Sequence, residues 1–434
     1  MNAPPPIDPH RELELPPDVP RHDPGPHWKV RFWAIFSGQA LSLCGSALTQ
    51  FVLLWWITDT TGDVSALAIA GMAALLPQAL LSPLGGVFAD RYSRRLLMIV
   101  ADTVSALCMM VLITLFLTAR IELWHIWVML GIRSAMQAFQ APAAAASTYM
   151  LVPEHFLLRA AGLNQSLQSL TVVAAAPLGA LAIGAMPIGW ALAIDVITAM
   201  CGIAPLFFFA IPQSFCRDKA LTGLRREFKE GLNVIRSRSG LRQLFILLSA
   251  TVLVIMPAFT LLPLLVKQHF GGGAAQVALM EGLSGVGMVV GGLAVAAMAP
   301  HKPLVWILLG FASSCLAIAL TALAPSNLFG VAVAWWVISG ICFIFGNAPL
   351  TALLQSIVPN HLQGRVFSIL NAMMNLAAPV GLLVLTPLAE IFGVRNVFVI
   401  AGTTGAIVSL TGFLSPSLLG LGAWKATRTG GPSV

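Results

Sequence analysis

About twelve runs of twenty or more mostly apolar residues, parted by short polar breaks, fill this chain from near residue 30 to near residue 419. A helix needs about 20 such residues to cross the hydrocarbon layer of a bilayer. Each run therefore reads as a membrane-spanning helix, and the chain as an all-α integral membrane protein. The expected spans are 30–57, 64–89, 96–118, 123–146, 162–186, 187–211, 242–267, 277–300, 304–324, 327–351, 367–392 and 394–419. Only 9% of the 434 residues are charged and 58% are hydrophobic, whereas a soluble domain is about a quarter charged. A soluble fold could not hide that much apolar surface. The net charge of +7 does not mark a nucleic-acid binder, because the bases lie between apolar runs and not among aromatics in a polar domain.

The placement of Lys and Arg sets the expected orientation. With the N-terminus inside, the inward segments hold Lys29, Arg31, Arg91, Arg94, Arg95, Arg159, Lys302, Arg365, Lys425 and Arg428, together with the stretch "RDKALTGLRREFKEGLNVIRSRSGLR". The outward breaks hold Arg120, Lys267 and Arg395. Both termini are expected in the cytoplasm. The Pro-rich segment 1–28 lacks the apolar core of a signal peptide and reads as a disordered tail; residues 420–434 read as a second cytoplasmic tail. Within the linker 212–241, Leu224, Phe228, Leu232 and Ile235 recur at helical steps, which predicts an amphipathic helix lying against the membrane. Trp55 and Trp56 are expected as interfacial anchors, and the six cysteines, Cys216 among them, as free thiols.

The two halves of the chain resemble each other. Gly85-Gly86 matches Gly291-Gly292, the "QAP" ending at Pro142 matches the "NAP" ending at Pro349, Val152-Pro153 matches Val358-Pro359, and Arg159 matches Arg365, all about 206 residues apart. This predicts a parallel repeat of two six-helix bundles, 29–211 and 242–419. The substrate site of such a duplication is expected between the repeats near the bilayer midplane.

The stretch "GGVFADRYSRR" at 85–95 resembles the motif G-x-x-x-[DE]-R-x-G-R-[RK] of the major facilitator superfamily, with Ser93 in place of the second glycine. The segments "LLQSIVPNHLQGRVFSILNAMMNLAAPVGLL" and "AIDVITAMCGIAPLFFF" look like its macrolide-efflux and siderophore-export branch. The resemblance implies two bundles rocking about a central cavity in a bacterial inner membrane. It also implies secondary active, proton-coupled efflux of amphiphilic small molecules, such as macrolide-like drugs or siderophores, by a monomer without a cofactor. No G-x-x-x-x-G-K-[ST] phosphate loop occurs, so the energy source is expected to be an ion gradient. A lysophospholipid or metabolite carrier of the same fold is the alternative cargo reading. A membrane-embedded receptor or scaffold is the non-transport alternative, and it would need neither duplicated halves nor a latch. An enzyme is not expected: His125, His155, His269, His301 and His361 fall in separate breaks or helix ends, without metal or nucleophile spacing.

For the 85–95 stretch the resemblance implies a gating latch. Gly85 and Gly86 allow close packing, Arg91, Arg94 and Arg95 anchor the inward side, and Asp90 faces the positive N-terminal end of the eleventh span near Arg365. The second repeat, "GGLAVAAMAPHKP", has Ala296 where the aspartate would be, so the latch is expected on one side only. Four intramembrane charges, Asp102, Arg133, Asp195 and Glu281, are costly enough to need a reason. Arg133 and Asp195 lie at similar depths, roughly 15 and 12 Å from the outer face at 1.5 Å per residue, which permits an ion pair; it is either a fixed bridge or part of proton coupling. Arg133 sits where drug:proton antiporters carry a fourth-helix arginine, although the full R-x-x-Q-G pattern is not met. Glu281 either reaches water or binds a proton or cationic cargo, and Asp102 is expected chiefly to neutralise Arg94 and Arg95. Gln39, Gln50, Gln78, Gln140, Asn347, Asn371 and Asn375, with Trp335 and Trp336, are the cavity candidates, and as scattered amides on an apolar wall they suit amphipathic cargo. Pro177-Gly179 and Pro379-Gly381 are expected bend points.

A one-sided latch makes a direct prediction. At equal membrane abundance, Asp90→Asn lowers transport severalfold, while Ala296→Asn leaves it within twofold of wild type; equal transport by wild type and Asp90→Asn would refute the latch.

Overall fold

The computed structural model describes residues 25–211, 221–298 and 302–423. The tail 1–24, Cys216 with the rest of 212–220, and the tail 424–434 lie outside the described residues. Those described fold into helices with no strand among them: α1 (Trp28–Thr61), α2 (Val64–Arg91), α3 (Arg94–Leu117), α4 (Leu123–Leu151), α5 (Leu157–Ala185), α6 (Ile188–Phe208), α7 (Leu221–Ser237), α8 (Ser239–Phe270), α9 (Ala274–Met298), α10 (Pro303–Leu323), α11 (Phe329–Ile357), α12 (Asn360–Phe392), α13 (Val394–Thr411) and α14 (Pro416–Ala423). Eleven of these segments are long and apolar enough to cross a membrane. The remaining long helix, α4, is 29 residues and falls short on apolarity, because it carries Arg133, Ser134, Gln137 and Gln140. It completes the first six by packing on α2 and α3. Large apolar side chains such as Val172, Leu181, Ile197, Phe208, Ile246, Leu293 and Ile407 stand exposed along the helices. A surface of that kind belongs against lipid.

Helix ends follow local chemistry. Gly62 and Gly271 adopt positive φ of 62° and 63° and close α1 and α8 as left-handed C-caps, so the repeat extends to its turns. Asp63 caps α2 by accepting from the Ala66 N–H at 2.9 Å. Ser93, the departure from the motif glycine, is the N-cap of α3 at φ −59°; no left-handed backbone is required there, and its hydroxyl accepts from the Leu96 N–H. The break at "AMPIGW" is confirmed, with Pro187 as N-cap of α6.

Three expectations about the elements change. The eleventh span begins at Asn360, not 367, because Pro359 sets the start and the polar turns that follow are helical outside the apolar run; Arg365 thus lies inside α12 and not at its end. The last span stops at Thr411, and Pro416 opens the separate α14, which folds back on α8. The amphipathic α7 docks on α12 and α8. A Cβ at Gly231 would lie 3.0 Å from the Arg365 carbonyl oxygen, and Ile235 is buried in the core. Leu224 and Phe228 have side chains outside the described set. Trp55 is likewise core, at 7% exposure, and Trp56 packs edge-on against Phe116.

Repeat symmetry is visible in glycine contacts. A Cβ at Gly85 would overlap the Ala138 carbonyl oxygen of α4, and one at Gly291 would sit 3.1 Å from the Ile341 oxygen of α11. Gly179 of α5 lies against Phe51 and Leu48 of α1, as Gly381 of α12 lies against Leu253 and Pro257 of α8. The two bundles meet along the symmetry-related pairs α2–α12 and α5–α9. Gly85 therefore packs within its own bundle, and Gly86 has open space around it. We expect Gly85→Ala to lower the detergent melting temperature by a stability equivalent of about 1–3 kcal/mol, with Gly86→Ala unchanged; thermal unfolding of the two purified variants checks this.

Candidate functional site

Charge is buried in the first bundle. Arg133 of α4 donates through Nη2 to Asp195 Oδ2 of α6 at 2.8 Å, with the two side chains 11% and 3% exposed. The Ser46 hydroxyl of α1 donates to the other oxygen at 2.9 Å, and Arg133 Nη1 lies 3.2 Å from Met109 Sδ of α3. Four helices thus converge on one pair, whose mutual attraction and extra hydrogen bonds offset the desolvation of both ions. Beside it, the Gln78 N–H, next to the ladder break at Pro77, donates to Ser134 Oγ at 3.0 Å. This ties α2 to the turn that carries Arg133.

Asp102 is not placed against the arginines. Its carboxylate, 9% exposed, accepts from Gln39 Nε2 at 3.1 Å, and Gln39 also reaches the Gly202 carbonyl at 3.2 Å and accepts from Gln140 Nε2 at 2.5 Å. Arg94 instead donates to the carbonyls of Ala89 and Ala146 at 3.1 and 3.2 Å, and Arg95 to those of Leu206 and Phe207. Both arginines are drawn to the partial negative charge near helix C-termini. Asp102, about two turns deeper, faces the inside of the bundle.

These groups line cavities that share walls. A cavity of about 240 Å³ is bounded by Gln39, Gln50, Gln78, Asp102, Arg133 and Asp195, with Ser46, Gln137 and Gln140 among its other walls. A second, of about 190 Å³, shares Gln39, Gln137 and Gln140 and extends along α5 to Asn164 and Gln168. A third, of about 260 Å³, begins at Gln78 and reaches the opposite bundle at Met256, Phe259, Thr260, Met374 and Asn375. One wall is polar and charged and the other is apolar, a division of labour suited to amphipathic cargo. Asn347, Asn371 and Trp335 line none of these three cavities. Trp336 is a core residue at 1% exposure, stacked edge-on against Phe259. Ser46, Gln137, Met256 and Phe259 were not singled out from sequence. Gln137 had a signal, one helical turn from Arg133; the others depend on which helices meet.

The two faces of the protein differ. On the face holding the α1–α2 turn, Lys267 Nζ of α8 pairs with Asp59 Oδ1 at 3.1 Å and donates to the Thr58 carbonyl at 3.2 Å. Gln268 donates to the Gly62 carbonyl at 2.9 Å, and Ser65 bonds Glu390 of α12. Polar bonds therefore bridge the bundles on that face. On the arginine-bearing face, Asp90, 44% exposed, pairs with Arg94 at 3.6 Å, while Arg365 pairs with Glu230 of α7 at 2.5 Å. The expected meeting of Asp90 with α12 is not made among the described residues. Arg91 ends α2 on the same face. Glu281, half-buried on α9, has no polar partner among the described residues; its neighbours Gly282 and Gly285 press on Pro177 and Val173 of α5.

Two six-helix repeats about a charged, partly enclosed cavity, bridged on one face, are the architecture of a membrane transport protein. The chain belongs to the Major Facilitator Superfamily, whose family model matches residues 35–382. It is 32% identical over 379 residues to macrolide efflux protein A of Streptococcus pyogenes, covering 87% of this chain and 94% of that one. It is 31% identical over 313 residues to macrolide efflux protein A of Enterococcus faecalis, covering 72% and 97%. The fold matches the crystal structure of the nucleoside transporter NupG at a TM-score of 0.68 and 13% identity, covering 90% of this chain and 99% of that one.

The buried pair predicts asymmetric damage. Removing one partner, as in Arg133→Ala or Asp195→Ala, strands a charge and costs about 3–5 kcal/mol, read as lost folded protein in fluorescence-detected gel filtration. The exchange Arg133→Asp with Asp195→Arg restores folded yield. If transport returns with it the pair is a structural bridge, and if yield returns without transport the pair acts in coupling.

Proposed function

We propose that this protein is a secondary active exporter of amphiphilic small molecules, of the macrolide-like or siderophore-like kind, coupled to the proton gradient across a bacterial inner membrane. The observation that carries the reading is the two-sided cavity: buried charge and amides from α1, α3, α4 and α6 face methionine and phenylalanine from α8 and α12. Relatives named for macrolide efflux over most of the chain support the cargo class. In this reading the arginine-bearing face is cytoplasmic, as are both termini, and the bridged face is external. The protein works as a monomer of two bundles joined through the 212–241 linker.

Alternating access then exchanges two sets of contacts. The Lys267, Gln268 and Ser65 bridges hold the external face shut. When they part, closure of the cytoplasmic face carries Asp90 toward α12, where Arg365 leaves Glu230 to meet it. Coupling requires buried groups whose protonation changes the balance between those states; Asp102, Arg133, Asp195 and Glu281 are the intramembrane groups available. Accumulation of a drug and siderophore panel in an efflux-deficient host, with and without a protonophore, tests the reading. We expect several-fold lower accumulation of at least one amphiphile, abolished by the protonophore. Unchanged accumulation of every compound would sink the export reading, and protonophore-insensitive export would sink proton coupling.

A further inference from the structure

We propose that Asp102 is the subsite that receives a cationic group, so that the preferred cargo is an amphiphile bearing a protonated or quaternary amine; this rests on the export reading above. The charge balance of the first cavity singles out this residue. Of its three charged side chains, Arg133 and Asp195 neutralise each other at 2.8 Å, and the second Asp195 oxygen is held by Ser46. Asp102 has no ion-pair partner among the described residues, and its carboxylate accepts from one neutral donor, the Gln39 amide. The polar wall thus carries one acid with no cationic partner among the described residues.

The surroundings of Asp102 supply no other cation. From α1 it meets Gln39, from α4 the nearest charged group is the engaged Arg133, and from α6 it is Asp195. Arg94 and Arg95, on its own helix, are committed to carbonyls at the arginine-bearing face. A carboxylate offers about four lone-pair sites, so one amide donor leaves most of its accepting capacity directed at the cavity. An ammonium group there makes charge-assisted hydrogen bonds. The Ser105 hydroxyl, one turn along α3 and on the same cavity, adds an acceptor. The apolar body of the same molecule reaches past Gln78 to Met256, Phe259 and Met374. An anionic amphiphile would meet repulsion at this wall, and a neutral one would leave the carboxylate as it stands.

The test uses the full-length protein in proteoliposomes and two macrolides: erythromycin, whose dimethylamino group is protonated at neutral pH, and N-acetyl-N-demethyl erythromycin, in which an amide replaces the amine and removes the charge. Wild type is expected to bind the amine at least about tenfold more tightly, the size of one charged hydrogen bond. Asp102→Asn brings the ratio to within about twofold while keeping the affinity for the neutral compound, and Asp102→Glu restores a preference. Where Asp102→Asn fails to fold, Ser105→Lys supplies a neighbouring cation at i+3 and is expected to abolish the same preference. Retention of the preference in these variants, or its absence in wild type, overturns the subsite. Absence of export of every compound in the panel above removes the export reading first, whereas a panel in which only neutral or anionic amphiphiles are exported overturns the subsite alone, which separates the two failures.

Discussion

A helix in a bilayer satisfies its own backbone except at its ends, where the last carbonyls have no partner within the helix. Much of this protein's sparse positive charge answers that constraint. Arg95 reaches the end of α6, Arg238 donates to the Ile357 carbonyl at the end of α11, Arg395 to Ala322 of α10, and Lys267 to Thr58 near the end of α1. These side chains tie one helix end to another. Lys267 does so between bundles.

The duplication gives the two bundles a common frame and unequal interiors. Glycines at matching positions set the helix separations in both, yet the first bundle alone places an ion pair and a second carboxylate inside. In the second bundle the residue that matches Arg133 is Ser339, whose hydroxyl is hydrogen-bonded to buried Ser314, and Trp336 and Phe311 are buried in the core. Burying charge is expensive, and here it is confined to one wall of the cavities while the facing wall is apolar. The second repeat also has Ala296 where the first has Asp90. On the arginine-bearing face Arg365 is held by Glu230 of the α7 helix, so the linker between the halves takes part in the contacts of that face.

Much of the fold was legible in the sequence because span length, proline position and Lys/Arg bias are local quantities. The break at Pro187 was readable for that reason, and the Arg133–Asp195 pairing was permitted by depth along two helices. The misreadings are instructive. Asp102 was assigned to the nearest arginines in sequence, but a helix turns a residue about 100° per step, and its facing neighbour proved to be Gln39 on α1. Trp336 was assigned to the cavity by type, and its rotation about α11 puts it in the core. The amphipathic pattern of α7 gave an apolar face without saying whether lipid or protein would cover it.

The sequence by itself determined that this chain spans a membrane through two repeated sets of helices, where those helices begin and end to within about two turns, and that four charges lie among them. Those follow from hydropathy and spacing along one dimension. Only the tertiary structure decided which charges neutralise each other, which amides face open space, which face of the protein is bridged and which intramembrane carboxylates, Asp102 and Glu281, have no cationic partner among the described residues. Each of those depends on the rotation of one helix against another, and that rotation is fixed by close contacts such as Gly85 on α4 and Gly381 on α8, between residues far apart in the chain.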